Sequence, residues 1–358
     1  MQLRYGSANE QMRHALSRIA PGTPLRDGID RVVRAKAGAL LVLDDGADVL
    51  SICSGGFLVD APYSPQRLSE LAKMDGAIII SSDGGRIARA NVHLVPDPTV
   101  PTSETGTRHR TAERVARSLR VPVVSASEEM GVINVYAGGG KRQLQEIGRL
   151  LERANQALQT LERYKARLDD AMARLTAVEV EDVATLRDVA SVVQRGEMVH
   201  RIADEVETMI VELGVDARLL RLQLDELYGE IDDELELVVQ DYVADDRPAS
   251  ETLEIMSRLT DEETHDLRHA AEALHRLEDE NDLSMSVAPR GLRLLHRTKR
   301  LSADSAIAIA GHFDGLPKLQ RATIDDLSQV NGIDDATAAE VRETLARVTE
   351  SAILDQYN

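Results

Sequence analysis

The sequence predicts an α/β domain at the N-terminus, an all-helical middle region and a compact helical ending. Three observations carry that reading. Short aliphatic runs alternate with amphipathic stretches over the first part of the chain, and from Leu151 onward apolar residues recur at mostly three- and four-residue intervals. Near the end, two short-helix regions are punctuated by Gly315-Leu316-Pro317 and Asn331-Gly332-Ile333.

In the first region, Glu10 to Ile19 and Leu25 to Lys36 read as helices separated by the breaker Pro21-Gly22-Thr23-Pro24. Gly38 to Leu43 is a strand candidate. Ser64-Pro65 before Leu68, Leu71 and Ala72 signals a helix start, and Ala77 to Ile80 returns to a strand. The turn Asp83-Gly84-Gly85 leads toward Ile87, Val92 and Leu94, after which Pro96, Pro98 and Pro101 predict an exposed loop. A helix over Thr111 to Leu119 and strands at Val121 to Ser125 and Val132 to Tyr136 follow. Gly138-Gly139-Gly140 reads as the exit from the domain.

Ala154, Leu158, Leu161, Leu168, Met172 and Leu175 then form a helix-packing stripe that could support a coiled coil, although its brevity and imperfection favour an intrachain bundle. Further aliphatic helical faces run from Val183 through Val239. The acidic residues between Asp225 and Asp246 read as a solvated surface, whereas Arg290, Arg293, Arg297, Lys299 and Arg300 form a basic interval. The expected division is 1–145, 146–285 and 286–358.

Composition sets bounds on function. The 358 residues suggest two or three domains, and with 43% apolar but only 3% aromatic residues the cores must be aliphatic. A net charge of −19 repels a polyanion when averaged over the molecule, so nucleic-acid contact requires a local patch. Cys53 is the single cysteine, which excludes an intrachain disulfide framework and a cysteine-rich zinc module. No cationic N-terminal segment leads into a secretory apolar stretch, and no apolar run is long enough to span a bilayer. A soluble cytoplasmic protein with no membrane partner is expected, nucleoid-associated where it meets DNA.

Two segments can carry nucleotide chemistry. Asp75-Gly76-Ala77 stands before the apolar run Ile78-Ile79-Ile80: a carboxylate there can hold a divalent metal or orient a ribose hydroxyl, and glycine permits close approach by a ligand. A turn carboxylate with a close-packed glycine is the ordinary alternative. Thr107-Arg108-His109-Arg110-Thr111 precedes a helix, so guanidiniums, threonine hydroxyls and helix-start amides can hold phosphates, or the run is a surface charge cluster. His109 reads as a phosphate hydrogen-bonding partner rather than a general base. No phosphate loop ending in Gly-Lys-Ser/Thr and no Ser/His/Asp signature is present.

Gly55-Gly56-Phe57, Leu71 through Ile78, Ala90-Asn91-Val92-His93-Leu94 and Glu104 through Arg114 occur in the order found in DNA-integrity-scanning diadenylate cyclases, which the chain resembles closely in its first domain and more loosely beyond. The resemblance implies condensation of two ATP molecules into cyclic di-AMP with release of two pyrophosphates, on two facing domains that each hold one ATP. It implies Mg²⁺ or Mn²⁺ as cofactor, and Asp75, Arg108 and His109 as catalytic residues, with Asp75 the metal ligand. Gly76, Ala77, Leu94, Thr107, Arg110, Thr111 and Ser127 complete the nucleotide site, Leu94 meeting adenine. Glu128 and Glu129 depart from the basic pair that many relatives carry nearby, which motivates a second reading: a DNA-associated structural or sensor protein with a nucleotide pocket but little cyclase activity.

The C-terminal region resembles tandem helix-hairpin-helix DNA binders, with Gly332 and Ile333 exposing turn amides to a phosphate. With Arg290, Arg293, Arg297, Lys299 and Arg300 these residues make the expected DNA surface. Asp334 and Asp335 oppose it by charge. The resemblance further implies a homo-octamer and a preference for branched DNA whose binding lowers cyclase activity, while the acidic charge predicts that this binding is weak.

Overall fold

The alternating aliphatic runs are realised as one mixed sheet in a computed structural model that describes residues 7–127, 131–243, 247–274, 282–299 and 301–355. The chain divides into two units, residues 1–157 with 204–223, and residues 158–203 with 224–358.

In the first unit, α1 (Ser7–Arg18) and α2 (Pro24–Arg34) precede β1 (Ala39–Val42), α3 (Ala47–Ser51), β2 (Cys53–Ser54) and β3 (Phe57–Pro62). Next come α4 (Pro65–Leu71), β4 (Ala77–Ile80), β5 (Arg86–Leu94), α5 (Thr107–Leu119), β6 (Val123–Ala126), β7 (Ile133–Ala137) and β8 (Gly140–Gln143). Thr23 and Ser64 cap α2 and α4 by accepting from the amides of Arg26 and Arg67, with proline at each first helical position.

The strand order is β2-β5-β4-β1-β6-β7-β8, with β3 also paired to β5. β1 and β4 are parallel, and the other described pairs are antiparallel. β1, β4, β6 and β7 are covered on both faces, which is why their sequences are unbroken apolar runs rather than alternating ones. Leu16, Ile29, Leu68 and Ile78 pack on one face. Val42, Ile79, Val115 and Tyr136 pack on the other, beneath α5. Residues 204–223 belong to this unit through Arg13, which donates to Thr208 Oγ1 at 2.9 Å and pairs with Asp204 at 2.8 Å, and through the Arg142–Glu212 ion pair at 2.7 Å.

Two local expectations change. Helix α5 begins at Thr107 rather than Thr111, because Gly106, in extended backbone at φ −81°, is already its N-cap. The glycine run is not an exit: Gly138 (φ 59°) and Gly139 (φ 77°) are the two turn residues between paired Ala137 and Gly140, and both need the left-handed backbone that suits a tight hairpin. The sequence reading placed no element at α3, β2, β3 or β8, and β3 and β8 are largely exposed.

The second unit is helical. α6 (Ile147–Val180) and α7 (Leu186–Leu213) are followed by α8 (Arg218–Tyr228), α9 (Ile231–Tyr242), α10 (Ala249–Arg258), α11 (Asp261–His265) and α12 (Leu267–Leu274). The first ten or so residues of α6, the last turns of α7 and the start of α8 belong to the first unit. Leu158, Leu161, Leu168 and Leu175 of the α6 stripe are buried.

The ending comprises α13 (Leu292–His296), α14 (Ala303–Phe313), α15 (Leu316–Arg321), α16 (Ile324–Ser328) and α17 (Asp335–Asp355) around a core that includes Leu295, Ile309, Leu316, Leu327 and Val341. α14 and α15 turn at Gly315 (φ 110°), and α16 and α17 at Gly332 (φ 88°), giving two helical hairpins. Among the described residues no helix is long and apolar enough to cross a membrane.

Candidate nucleotide site

Strand register collects the predicted residues at one edge of the sheet. Gly38 leads into β1 and Asp75-Gly76 into β4, while β5 ends at Leu94 and β6 runs out into Ser127. The pairs Leu40 with Ala77, Ala77 with Val92, and Ala39 with Ala126 align these ends. At that edge Arg108, in the first turn of α5, reaches over β1 so closely that a side chain at Gly38 would meet its guanidinium. The same guanidinium lies 3.5 Å from the fully exposed carboxylate of Asp75.

Gly76 is required by packing: a β-carbon there would sit 2.5 Å from the backbone of Asn91. Asn91 adopts φ 53° where the β4–β5 register shifts between Ala77 and Ile79, so a bulge pushes its backbone toward Gly76. Gly56 (φ 75°) crosses the same bulge, with Ala90 O 2.6 Å from where a β-carbon would stand.

The N-terminus of α5 is the anion-binding feature. No side chain caps it, and the first helical bond runs from Arg110 N to Gly106 O at 2.8 Å, so the amides of Thr107, Arg108 and His109 precede the helical ladder. These amides, the positive end of the helix and the flanking Arg108 and Arg110 suit a phosphate. Buried Glu113 holds the preceding loop by accepting from Thr102 Oγ1 (2.5 Å), Ser103 N (2.9 Å) and Ser103 Oγ (3.2 Å), and it pairs with Arg117 at 2.8 Å. Burial pushes the Glu113 carboxyl up, but these partners overcome it and hold it below the usual range. Arg114 Nε and Arg117 add bonds to the carbonyls of Val100 and Pro101, both at 3.0 Å.

His109 is half-buried. Its Nδ1 lies 3.0 Å from the hydroxyl of buried Tyr136, which donates to Glu104 Oε1 at 3.2 Å, and Lys141 pairs with Glu104 at 2.6 Å. Burial holds the His109 imidazolium below its ordinary range; Glu104 works against this, while Lys141 and Arg108 reinforce it. Glu104, Asn91 and Tyr136 had no assigned role in the sequence reading, Glu104 and Asn91 appearing only inside matched segments. Ser125 Oγ and Asn134 Oδ1, a buried cross-strand pair, have no hydrogen-bond partner among the described residues, and nothing in the sequence singled them out.

Two nucleotide candidates sit deeper than expected. Leu94 is 5% exposed and packs with Val92, Ala112 and Val115, so its side chain is spent in the core rather than on an open pocket wall. Ala77, 3% exposed, is likewise core. Thr107 and Arg110 are exposed and Thr111 is half-buried. Ser127 accepts through its carbonyl from Gly131 N and donates its amide to Val132 O; Glu128 and Glu129 lie outside the described residues.

A family model for the DisA bacterial checkpoint controller nucleotide-binding domain matches residues 26–141, and one for the DisA linker region matches residues 144–282. The DNA integrity scanning protein DisA of Streptomyces coelicolor is 48% identical over 355 residues, spanning 98% of this chain and 95% of the relative. The DisA of Kineococcus radiotolerans is 49% identical over 352 residues, spanning 98% of each. The chain belongs to the DisA family. Its first domain is a DisA-type diadenylate cyclase domain, which makes it an enzyme forming cyclic di-AMP.

DisA-type cyclase domains work with a divalent cation. Among the described residues no group of three or more His, Cys, Asp or Glu side chains is placed to hold one. The exposed Asp75 carboxylate nevertheless fits a hard cation that takes one carboxylate plus substrate phosphate oxygens.

The DisA-type C-terminal region departs from the expected DNA surface. Arg293 is 3% exposed, paired with Glu179 and donating to Thr176 Oγ1 at 3.1 Å, so it is an interior ion-pair partner. Arg290 donates to the carbonyls of Gln240 (3.1 Å) and Val243 (3.3 Å). Arg297 and Lys299 are exposed, and Arg300 lies outside the described residues. Ile333 is 7% exposed and its amide donates to Val330 O at 3.1 Å, which commits both its side chain and its N–H to the hairpin. Gly332 has open space at its missing side chain. Asp334 caps α17 by accepting from Thr337 N at 2.8 Å, and Asp335 accepts from Ser328 Oγ at 2.8 Å. The acidic stretch is not all surface either, since Asp241 is 2% exposed and accepts from the amides of Leu292 (2.6 Å) and Arg293 (3.0 Å).

Proposed function

We propose that the uncapped start of α5, facing Asp75 across Arg108, is the site where this chain holds the triphosphate of one ATP while a second copy presents the other. The observation that carries this is the convergence of free helix-start amides, two guanidiniums and one exposed carboxylate at a single sheet edge. Each ribose 3′-oxygen forms a bond to the α-phosphorus of the opposing ATP as the bond to pyrophosphate breaks, and the 3′-hydroxyl proton leaves to a base. Asp75 would hold Mg²⁺ or Mn²⁺, which would supply charge neutralisation when bound. Asp75 orients the 3′-hydroxyl. Arg108 and the α5 amides hold the charge that builds on the phosphoryl oxygens and the leaving pyrophosphate. Facing two copies turns a bimolecular encounter into a positioned one.

The reading extends to a homo-octamer, to the segment limits 1–145, 146–285 and 286–358, and to branched DNA as a weak ligand that lowers turnover. Its test is the mass of the product formed from ATP with Mg²⁺ or Mn²⁺, measured beside the oligomeric state. Cyclic di-AMP is expected from the parent chain. Asp75→Asn, which removes a charge at nearly constant volume, is expected to assemble normally and lose most product. Normal turnover by a folded D75N chain would sink the role given to Asp75.

A further inference from the structure

The contacts around His109 constrain more than its position. Tyr136 has one hydroxyl hydrogen, and the only group Glu104 offers it is a carboxylate, which accepts and cannot donate. Lys141 pairs with the same carboxylate oxygen at 2.6 Å. With the hydrogen directed to Glu104 at 3.2 Å, the Tyr136 oxygen has only lone pairs to offer His109. The 3.0 Å contact must therefore run from Nδ1–H of His109 to Tyr136. In the neutral ring this leaves Nε2 as an acceptor.

We infer that Tyr136 and Glu104 are positioning residues that fix the tautomer of His109, so that its Nε2 can donate to a nucleotide phosphate only after the ring takes up a proton. The inference rests on the reading that residues Thr107 to Thr111 hold phosphate. It makes ATP binding through this residue a proton-coupled event. A neutral His109 presents a lone pair to an anion, which is repulsive, whereas the cation presents a charged N–H. The phosphate supplies the compensation that the resting site lacks, because burial and the charges of Lys141 and Arg108 disfavour the cation and Glu104 alone favours it. The titratable and charged groups facing this pair are Glu104 from the loop, Tyr136 from β7, Lys141 from β8 and Arg108 from α5, with Glu113 of α5 acting on Tyr136.

The hydroxyl is the discriminating atom. In Tyr136→Phe the ring still fills its buried place, but Nδ1 loses its acceptor and a neutral ring can carry its proton on Nε2, donating to phosphate without proton uptake. Glu104→Gln reaches the same end by another route: the amide can donate to the tyrosine oxygen, freeing the hydroxyl hydrogen to point at Nδ1.

The test is the pH profile of KM for ATP from pH 6 to 9 in the full-length chain at saturating Mg²⁺, with product identified as cyclic di-AMP. His109→Gln, which cannot titrate, gives the baseline set by ATP itself. In the parent, KM is expected to rise with pH relative to that baseline, by up to about tenfold per unit because one proton is taken up. Y136F and E104Q are expected to be flatter, with a raised KM at the acid end where the parent binds best. Parallel profiles for the parent, Y136F and E104Q would overturn the inference, as would a parent profile no steeper than that of H109Q. E104Q keeps the buried ring intact, so a failure of Y136F to fold leaves the decision to it. Absence of cyclic di-AMP from the parent at every pH would overturn the cyclase reading and the inference with it, whereas product with parallel profiles overturns the inference alone.

Discussion

Charged residues in this chain divide by what they touch, and adjacent residues in sequence can have opposite fates. Arg293 spends its charge on Glu179 in the interior, whereas Arg297 and Lys299, four and six residues on, remain exposed. Asp241 is the residue whose burial has a pH signature. Desolvation raises its carboxyl to about 6, assisted by nearby Glu179, although the Leu292 and Arg293 amides and the Arg293 charge pull the other way. Since this lies above the ordinary aspartate value of 3.8, the folded chain binds the proton more tightly than the unfolded chain. The resulting stabilisation is present in full below the unfolded value and is lost as pH rises through about 6. Asp241→Asn has no such loss, so its stability relative to the parent is expected to improve between about pH 4 and 6 and stay level above, read as the difference in denaturation midpoints. A pH-independent difference would show that Asp241 does not titrate in that window.

At the scale of the element, α5 gives up a local stabilisation that its sequence could have had. Gly106 makes no side-chain cap, and its missing β-carbon would meet His109 Cδ2 at an ordinary 3.5 Å, so space does not forbid a capping residue. Asp at an N-cap exceeds Gly by a few tenths of a kcal/mol, with roughly 0.3–1 kcal/mol more from a negative charge at the helix start. Gly106→Asp is therefore expected to raise the melting temperature slightly. The same carboxylate would occupy the amides proposed for phosphate, so KM for ATP is expected to rise about tenfold, the equivalent of one charge-assisted hydrogen bond. Higher stability with unchanged KM would remove the α5 amides from the binding site.

For the molecule as a whole, a net charge of −19 means that DNA contact depends on the few cations left exposed. Arg293 is committed to the interior, and Arg290, although exposed, spends guanidinium donors on backbone carbonyls, which leaves Arg297 and Lys299 as the exposed, described members of the basic interval without such bonds among the described residues. Reversing both, as R297E/K299E, is expected to abolish measurable binding to branched duplex, whereas Arg290→Gln changes it little. Titrations at two salt concentrations check this, since lost phosphate contacts flatten the salt dependence. Equal losses from R290Q and from the double reversal would restore the full basic interval as the interface.

The sequence by itself determined the succession of architectures and most of the nucleotide segment. Unbroken apolar runs such as Ala77 to Ile80 read as strands, and Thr107-Arg108-His109-Arg110-Thr111 reads as a phosphate-holding segment ahead of a helix, whereas the uncapped helix start at Gly106 emerged only from the fold. Those signals are local, set by turn chemistry and periodicity within a few residues. What the tertiary structure decided is the partner of each polar group. Glu179 and Arg293 are 114 positions apart, His109 and Tyr136 are 27 apart, and nothing in either local sequence names the other. Whether an arginine is a DNA contact or an interior ion, and which nitrogen of a histidine carries the proton, depends on which groups share its desolvated surroundings, and only the folded chain sets those.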